Sequence, residues 1–123
     1  MVIAAVQAAN DALLPFIADP TGPRDGLQAY FCGDVAWRGV NGYLDRFAQT
    51  DGTGVIASFE VSDIKAPVQG QDYRWQFDQI EAWEYIKPDG KKRYERAQYR
   101  YWVVERPEQT PRFCIDSFTT LKQ

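Results

Sequence analysis

No histidine occurs anywhere in the chain. That excludes Ser-His-Asp and Cys-His catalysis, histidine zinc sites and imidazole acid–base chemistry at neutral pH. Any catalysis would rest on carboxylate, tyrosine, lysine or cysteine. Cysteine is scarce as well: Cys32 and Cys114 are too few for a disulfide framework and are expected as reduced, partly buried thiols. No stretch approaches the roughly 20 apolar residues of a membrane span. The start MVIAAVQAAN lacks the basic segment of a signal peptide. The expected location is the cytoplasm. Metal-ligand spacings, glycine-rich phosphate loops and nucleophile elbows are missing too, so no metal, cofactor or catalytic residue is assigned from motif.

What is present fits one domain over residues 1–123, long enough to bury a core without staples. The apolar fraction is 45% and the charged fraction 25%, ordinary values for a globular chain. Aromatic residues reach 15%, so rings must supply much of the buried area. A net charge of −3 with a pI near 4.9 argues against partnership with nucleic acid or an anionic membrane.

The chain changes period once. Val2, Val6, Ala9, Leu13 and Phe16 recur at helical spacing, which predicts a helix over 2–17 with Asn10 and Asp11 off its apolar stripe. Pro15 is expected to end or kink it near Leu14. A short second helix is expected from Arg24 to Phe31. A third, capped by Asp34, is expected from Val35 to Phe47 with Trp37, Val40, Tyr43, Leu44 and Phe47 on its stripe. The cluster QTDGTG at 49–54 is a turn, and after it the period becomes two: Val55, Ala57, Phe59 and Val61 share one strand face.

A long hairpin from Tyr73 to Arg106 then dominates, holding half of the aromatic residues. Its first arm alternates at Tyr73, Trp75 and Phe77, and a β-bulge near Asp78–Gln79 is expected where the apolar phase becomes ambiguous. Pro88-Asp89-Gly90 supplies the turn. The return arm sets Ala97, Tyr99, Tyr101 and Val103 against Tyr94, Arg96, Arg100, Trp102 and Val104. The last strand carries Phe113, Ile115 and Phe118, with Asp116 among them.

Helices followed by antiparallel strands predict an α+β fold: three N-terminal helices packed on one face of a curved four-stranded antiparallel sheet. The hairpin FDQIEAWEYIKPDGKKRYERAQYRYWVVER and the closing PRFCIDSFTTL resemble the nuclear transport factor 2-like superfamily, the cone-shaped, cystatin-like fold of SnoaL-like cyclases and ketosteroid isomerases. Phe113 and Ile115 stand where that pattern has Trp and Ile. The lack of a short strand pair between the second and third helices is more similar to the C-terminal domain of cyanobacterial and plastid division proteins. The resemblance implies either a domain working through protein contacts or apolar ligand binding, or an enzyme with a carboxylate base and a tyrosine in an apolar pocket. Asp45, Asp78, Glu81, Asp116, Tyr43, Tyr99 and Tyr101 are the candidate groups for the second case.

The ring-rich face nominates a ligand pocket from Trp37, Tyr43, Trp75, Phe77, Tyr99, Tyr101, Phe113 and Asp116, suited to a flat apolar molecule. Helices cover only one sheet face, so Trp83, Tyr94, Arg96, Arg100 and Trp102 are assigned to an outer interface. Charge supports a partner there. Lys87, Lys91, Lys92, Arg93, Arg96, Arg100 and Arg106 outweigh Asp89, Glu95 and Glu105, giving +4 against −7 for the remainder. That asymmetry suits a homodimer or an acidic protein partner.

Overall fold

The change of period falls where the turn cluster places it: in the computed structural model, which describes residues 2–50, 54–70, 72 and 74–121, helices come before it and only strands after. Residues 51–53 of that cluster and Tyr73 lie outside the described residues.

Helix α1 spans Val2–Ala18 and runs through Pro15 rather than ending at Leu14. Proline removes one bond, to the carbonyl of Asp11, and both residues are exposed, so water takes that acceptor. The amide of Asp19 then closes the last turn on the Pro15 carbonyl at 3.0 Å. The buried stripe is Val2, Val6, Ala9, Asn10, Leu13 and Ile17. Asn10 therefore belongs to the stripe, between Val6 and Leu13, where the sequence reading had left it outside.

The expected second helix is a five-residue 3₁₀ turn, Asp25–Ala29. It is cut short because Phe31 is drawn into a parallel bridge with Ile115, which a helix cannot supply. Gly33 follows at a point where a Cβ would overlap the Asp116 carbonyl, so the chain passes only as glycine. Cys32 and Cys114 meet here, with Cα atoms 5.8 Å apart, and form a disulfide. The expectation of free thiols is corrected: the bridge between Phe31 and Ile115 puts their neighbours side by side.

Helix α2 covers Asp34–Thr50. Gly33, not Asp34, provides the capping carbonyl, accepting from the Trp37 amide at 2.8 Å, while Asp34 sits in the first turn, where its charge suits the helix dipole. Ala36, Val40, Leu44 and Phe47 are buried, and Trp37 and Tyr43 half-buried. Arg24 fastens the preceding loop to this helix, donating to the Asn41 carbonyl at 3.2 Å and to Asp45 at 2.8 Å.

The sheet has five antiparallel strands, one more than expected: β1 (Ile56–Ser62), β2 (Val68–Gln69), β3 (Trp75–Ile86), β4 (Lys92–Glu105) and β5 (Phe113–Leu121). The order is β1-β3-β4-β5, with the two-residue β2 paired to the start of β3 inside the segment read as a loop. The turn at Pro88–Gly90 is as the sequence implies: Gly90 has φ +84° and donates to the Lys87 carbonyl at 2.8 Å.

β3 contains no bulge. Its burial alternates without a break, with Phe77, Gln79, Glu81, Trp83 and Tyr85 all buried on one face. Two polar residues in that row imitate a loss of phase. The irregularity lies instead opposite β4: Val103 pairs with Ile115 and Trp102 with Ser117, which leaves Asp116 as the extra residue. The bulge reverses side-chain parity in β5. Ile115 faces the core before it, and Phe118 and Thr120 share that face after it, opposite Tyr101 and Tyr99. α1 and α2 pack on this inner face and bury the core there.

Candidate ligand cavity

Five elements place side chains around one cavity of about 360 Å³ between the helices and the inner face of the sheet. α1 contributes Asn10 and Leu13 from its buried stripe, and α2 contributes Gly39, Val40 and Tyr43. The inner row of β3 supplies Glu81, Trp83 and Tyr85. β4 supplies Tyr99 and Tyr101, and β5 supplies Phe118 and Thr120, which only the bulge at Asp116 brings to this side. Phe31 closes one end, its ring 6.1 Å from that of Phe118. At Gly39 a Cβ would come within 3.2 Å of the Phe118 ring, so glycine keeps this part of the cavity open.

A buried carboxylate is the chemical centre. Glu81 is 1% exposed. Its Oε2 accepts from Asn10 Nδ2 at 3.2 Å, Gln79 Nε2 at 2.8 Å and the Tyr101 hydroxyl, and its Oε1 accepts from the Trp83 indole at 3.0 Å. Donors converging from a helix and two strands match an acceptor-only carboxylate and fix its rotamer. Across the cavity the Tyr43 and Tyr85 hydroxyls lie 2.5 Å apart, so one donates to the other. Trp83 stacks on Phe59 at 4.7 Å, and the Arg93 guanidinium lies 4.8 Å from the centre of the Tyr85 ring, which stiffens that wall.

The tyrosines are held neutral. Burial pushes the Tyr43 hydroxyl up to about 12, against a smaller opposing effect of its bond to Tyr85. Tyr85 is raised by burial first and then by Tyr43 beside it. Tyr99 is raised by burial and by the Glu81 charge. Tyr101, fully enclosed, is raised well above the usual tyrosine value by burial and then by Glu81. All four act as neutral hydroxyls at neutral pH.

Of the residues nominated for a pocket, Tyr43, Tyr99 and Tyr101 line this cavity. Trp75 and Phe77 share the inner face of β3 but sit beyond it, Phe77 stacking on Tyr101 at 5.7 Å. Trp37 and Phe113 are half-buried against the core. Asp116 is turned to an ion pair with Arg74 at 3.1 Å, because it is the bulged residue. Asp45 and Asp78 are likewise engaged outside the cavity, with Arg24 and Arg100, each at 2.8 Å.

Trp83 is corrected from interface to interior: it is 5% exposed and donates to Glu81, since odd-numbered residues of β3 all face inward. Tyr94 (64% exposed) and Arg96 do lie on the outer face. Arg100 there is paired with Asp78 of its own chain, and the Trp102 indole donates to Gln76 at 3.1 Å. Asn10 and Gln79 were not anticipated. The signal was available: each is a lone polar residue in register with an otherwise apolar row.

Among the described residues there is no cluster of His, Cys, Asp or Glu that could hold a metal ion, and no helix is long and apolar enough to cross a membrane. No family model matches the chain, and no curated protein matches it either. Solved structures share its fold, among them the following two. A protein from Catenulispora acidiphila superposes with a TM-score of 0.69 at 14% identity, over 97% of this chain and 89% of that one. The intermembrane space region of the chloroplast protein ARC6, a plastid division protein, superposes with a TM-score of 0.52 at 12% identity, over 100% of this chain and 98% of that one. The second agrees, at the level of fold, with the resemblance to plastid division domains seen in the sequence.

Proposed function

We propose that this chain is a non-enzymatic binding domain of the nuclear transport factor 2-like type, and that it takes a small, largely apolar ligand between α2 and the inner face of its sheet. The observation that carries the reading is the 360 Å³ cavity walled by aromatic side chains around one fixed carboxylate. That volume lies in the range of about 300–1,000 Å³ usual for small-molecule sites, which are mostly apolar with a few placed polar groups. A core made only of packed rings would leave no such space, since interiors rarely hold voids larger than a water molecule.

An enzyme using Glu81 and Tyr101 for proton transfer is the weaker reading. The Tyr101 hydroxyl donates to Glu81 itself, so the two do not face a substrate from opposite sides as a base and an oxyanion donor would have to. Self-association through the outer face, with Tyr94 and Arg96 near its centre, is a separate proposal supported by the opposite charges of hairpin and body.

The test is titration of the protein with 1-naphthylmethanol, followed by tryptophan fluorescence, beside Gly39→Leu. The wild type should bind, and the variant should not while keeping its circular dichroism spectrum, because the new side chain enters the space beside Phe118. Equal binding by both would place the probe elsewhere.

A further inference from the structure

We propose that the cavity is a site for an organic ammonium ion, a protonated amine on a flat apolar body, whose nitrogen seats against Glu81 between aromatic faces. This rests on the cavity being a ligand site and names the chemical class that it takes.

The first support is the charge. Glu81 is buried, lines the cavity, and is held by Asn10, Gln79, Trp83 and Tyr101, all of them neutral donors. Neutral donors fill lone pairs without cancelling the charge, and a carboxylate withdrawn from water is best compensated by a cation. The second is an uneven set of partners. Oε2 takes three donors, whereas Oε1 takes only the indole of Trp83. A carboxylate oxygen offers about two acceptor directions, so Oε1 keeps one open. That vacancy is an acceptor. A ligand group that fills it must bring an N–H or O–H, and an ammonium brings one together with the compensating charge.

The third is the wall. Trp83, Tyr99 and Tyr101 line it with π-systems whose quadrupoles attract a cation, more strongly where water is excluded. Of the basic side chains near the cavity, Arg46 is exposed, where solvent screens its repulsion, and Arg93 lies against the Tyr85 ring, while Glu81 acts from the low-dielectric floor. The place of Arg46 at the rim leaves the apolar body of the ligand to fill the space towards Phe118.

The experiment compares 1-naphthylmethylamine, protonated at neutral pH, with the uncharged 1-naphthylmethanol by isothermal titration calorimetry on the full chain. The amine should bind at least about tenfold more tightly. Glu81→Gln should remove that preference, read as the ratio of the two affinities. Tyr99→Leu, which removes a ring from the wall but no donor to Glu81, should weaken the amine more than the alcohol and serves if the Glu81 variant does not fold. An alcohol that binds as well as the amine overturns the ammonium assignment and leaves the ligand cavity standing. Binding of neither probe overturns both.

Discussion

Asn10 is one amide in an apolar helix stripe, and the structure gives it a specific task. It is 4% exposed and reaches from α1 to the carboxylate on β3 at 3.2 Å. A hydrogen bond to a charged group contributes about 1.5–3 kcal/mol, and its loss leaves the acceptor short of a partner. Asn10→Ala should therefore destabilise the protein by about 1.5–3 kcal/mol in a denaturant titration, although alanine is the better helix former. A shift under about 0.5 kcal/mol would mean that the other three donors carry Glu81 unaided. The tyrosines make an alkaline prediction. Tyr43 loses its proton near 10 when unfolded and only at about 12 when folded, so the native state binds the proton more tightly. Its contribution is complete below about pH 10 and is lost as pH rises through about 12. The denaturant midpoint should fall over that window, less steeply for Tyr43→Phe, and a level midpoint would contradict the burial of the pair.

At the scale of elements, much was legible and one misreading is instructive. The long hairpin, its turn, the strand β1 and the stripe of α2 follow from period and punctuation alone. The sequence reading inferred a bulge from the loss of apolar phase after Phe77, but Gln79 and Glu81 keep the phase and only break the apolar character. A polar residue paired through space cannot be told from a register change along one strand, because its partners here come from α1 and β4. The real parity change, from Ile115 to Phe118, was visible as an odd-to-even step across Asp116. Deleting Asp116 should restore a regular ladder and leave Phe118 and Thr120 inward, because Ser117 already pairs with Trp102 and Phe118 with Tyr101. The expected cost is small, since the part-exposed ion pair with Arg74 is worth at most about 1 kcal/mol, and probe binding should persist. A loss of several kcal/mol in a thermal or denaturant titration would show that the close passage of Gly33 at Asp116 needs the bulge. The second helix was overcalled for a related reason: the pull of Phe31 onto Ile115 is a contact between residues distant in the chain.

For the whole molecule, the covalent link between Cys32 and Cys114 spans 82 residues of sequence. Closing so long a loop restricts the unfolded chain, and such bonds contribute typically about 2–4 kcal/mol. Cys32→Ser should lower the unfolding free energy from a denaturant titration by an amount in that range, and reduction of the wild type should match it; a smaller effect of reduction would mean that the bond resists the reductant within the fold. The same link has a consequence for fragments. It joins the end of the 3₁₀ turn to the first half of β5, so β1, β2, β3, β4 and α2 all lie inside one covalent ring. The exposed stretch at residues 62–66 and the hairpin tip at Asp89–Gly90 also lie within it. A protease cutting once at either place would open the ring without releasing a piece. The nicked protein should run as one band on a denaturing gel and separate into two only after thiol is added.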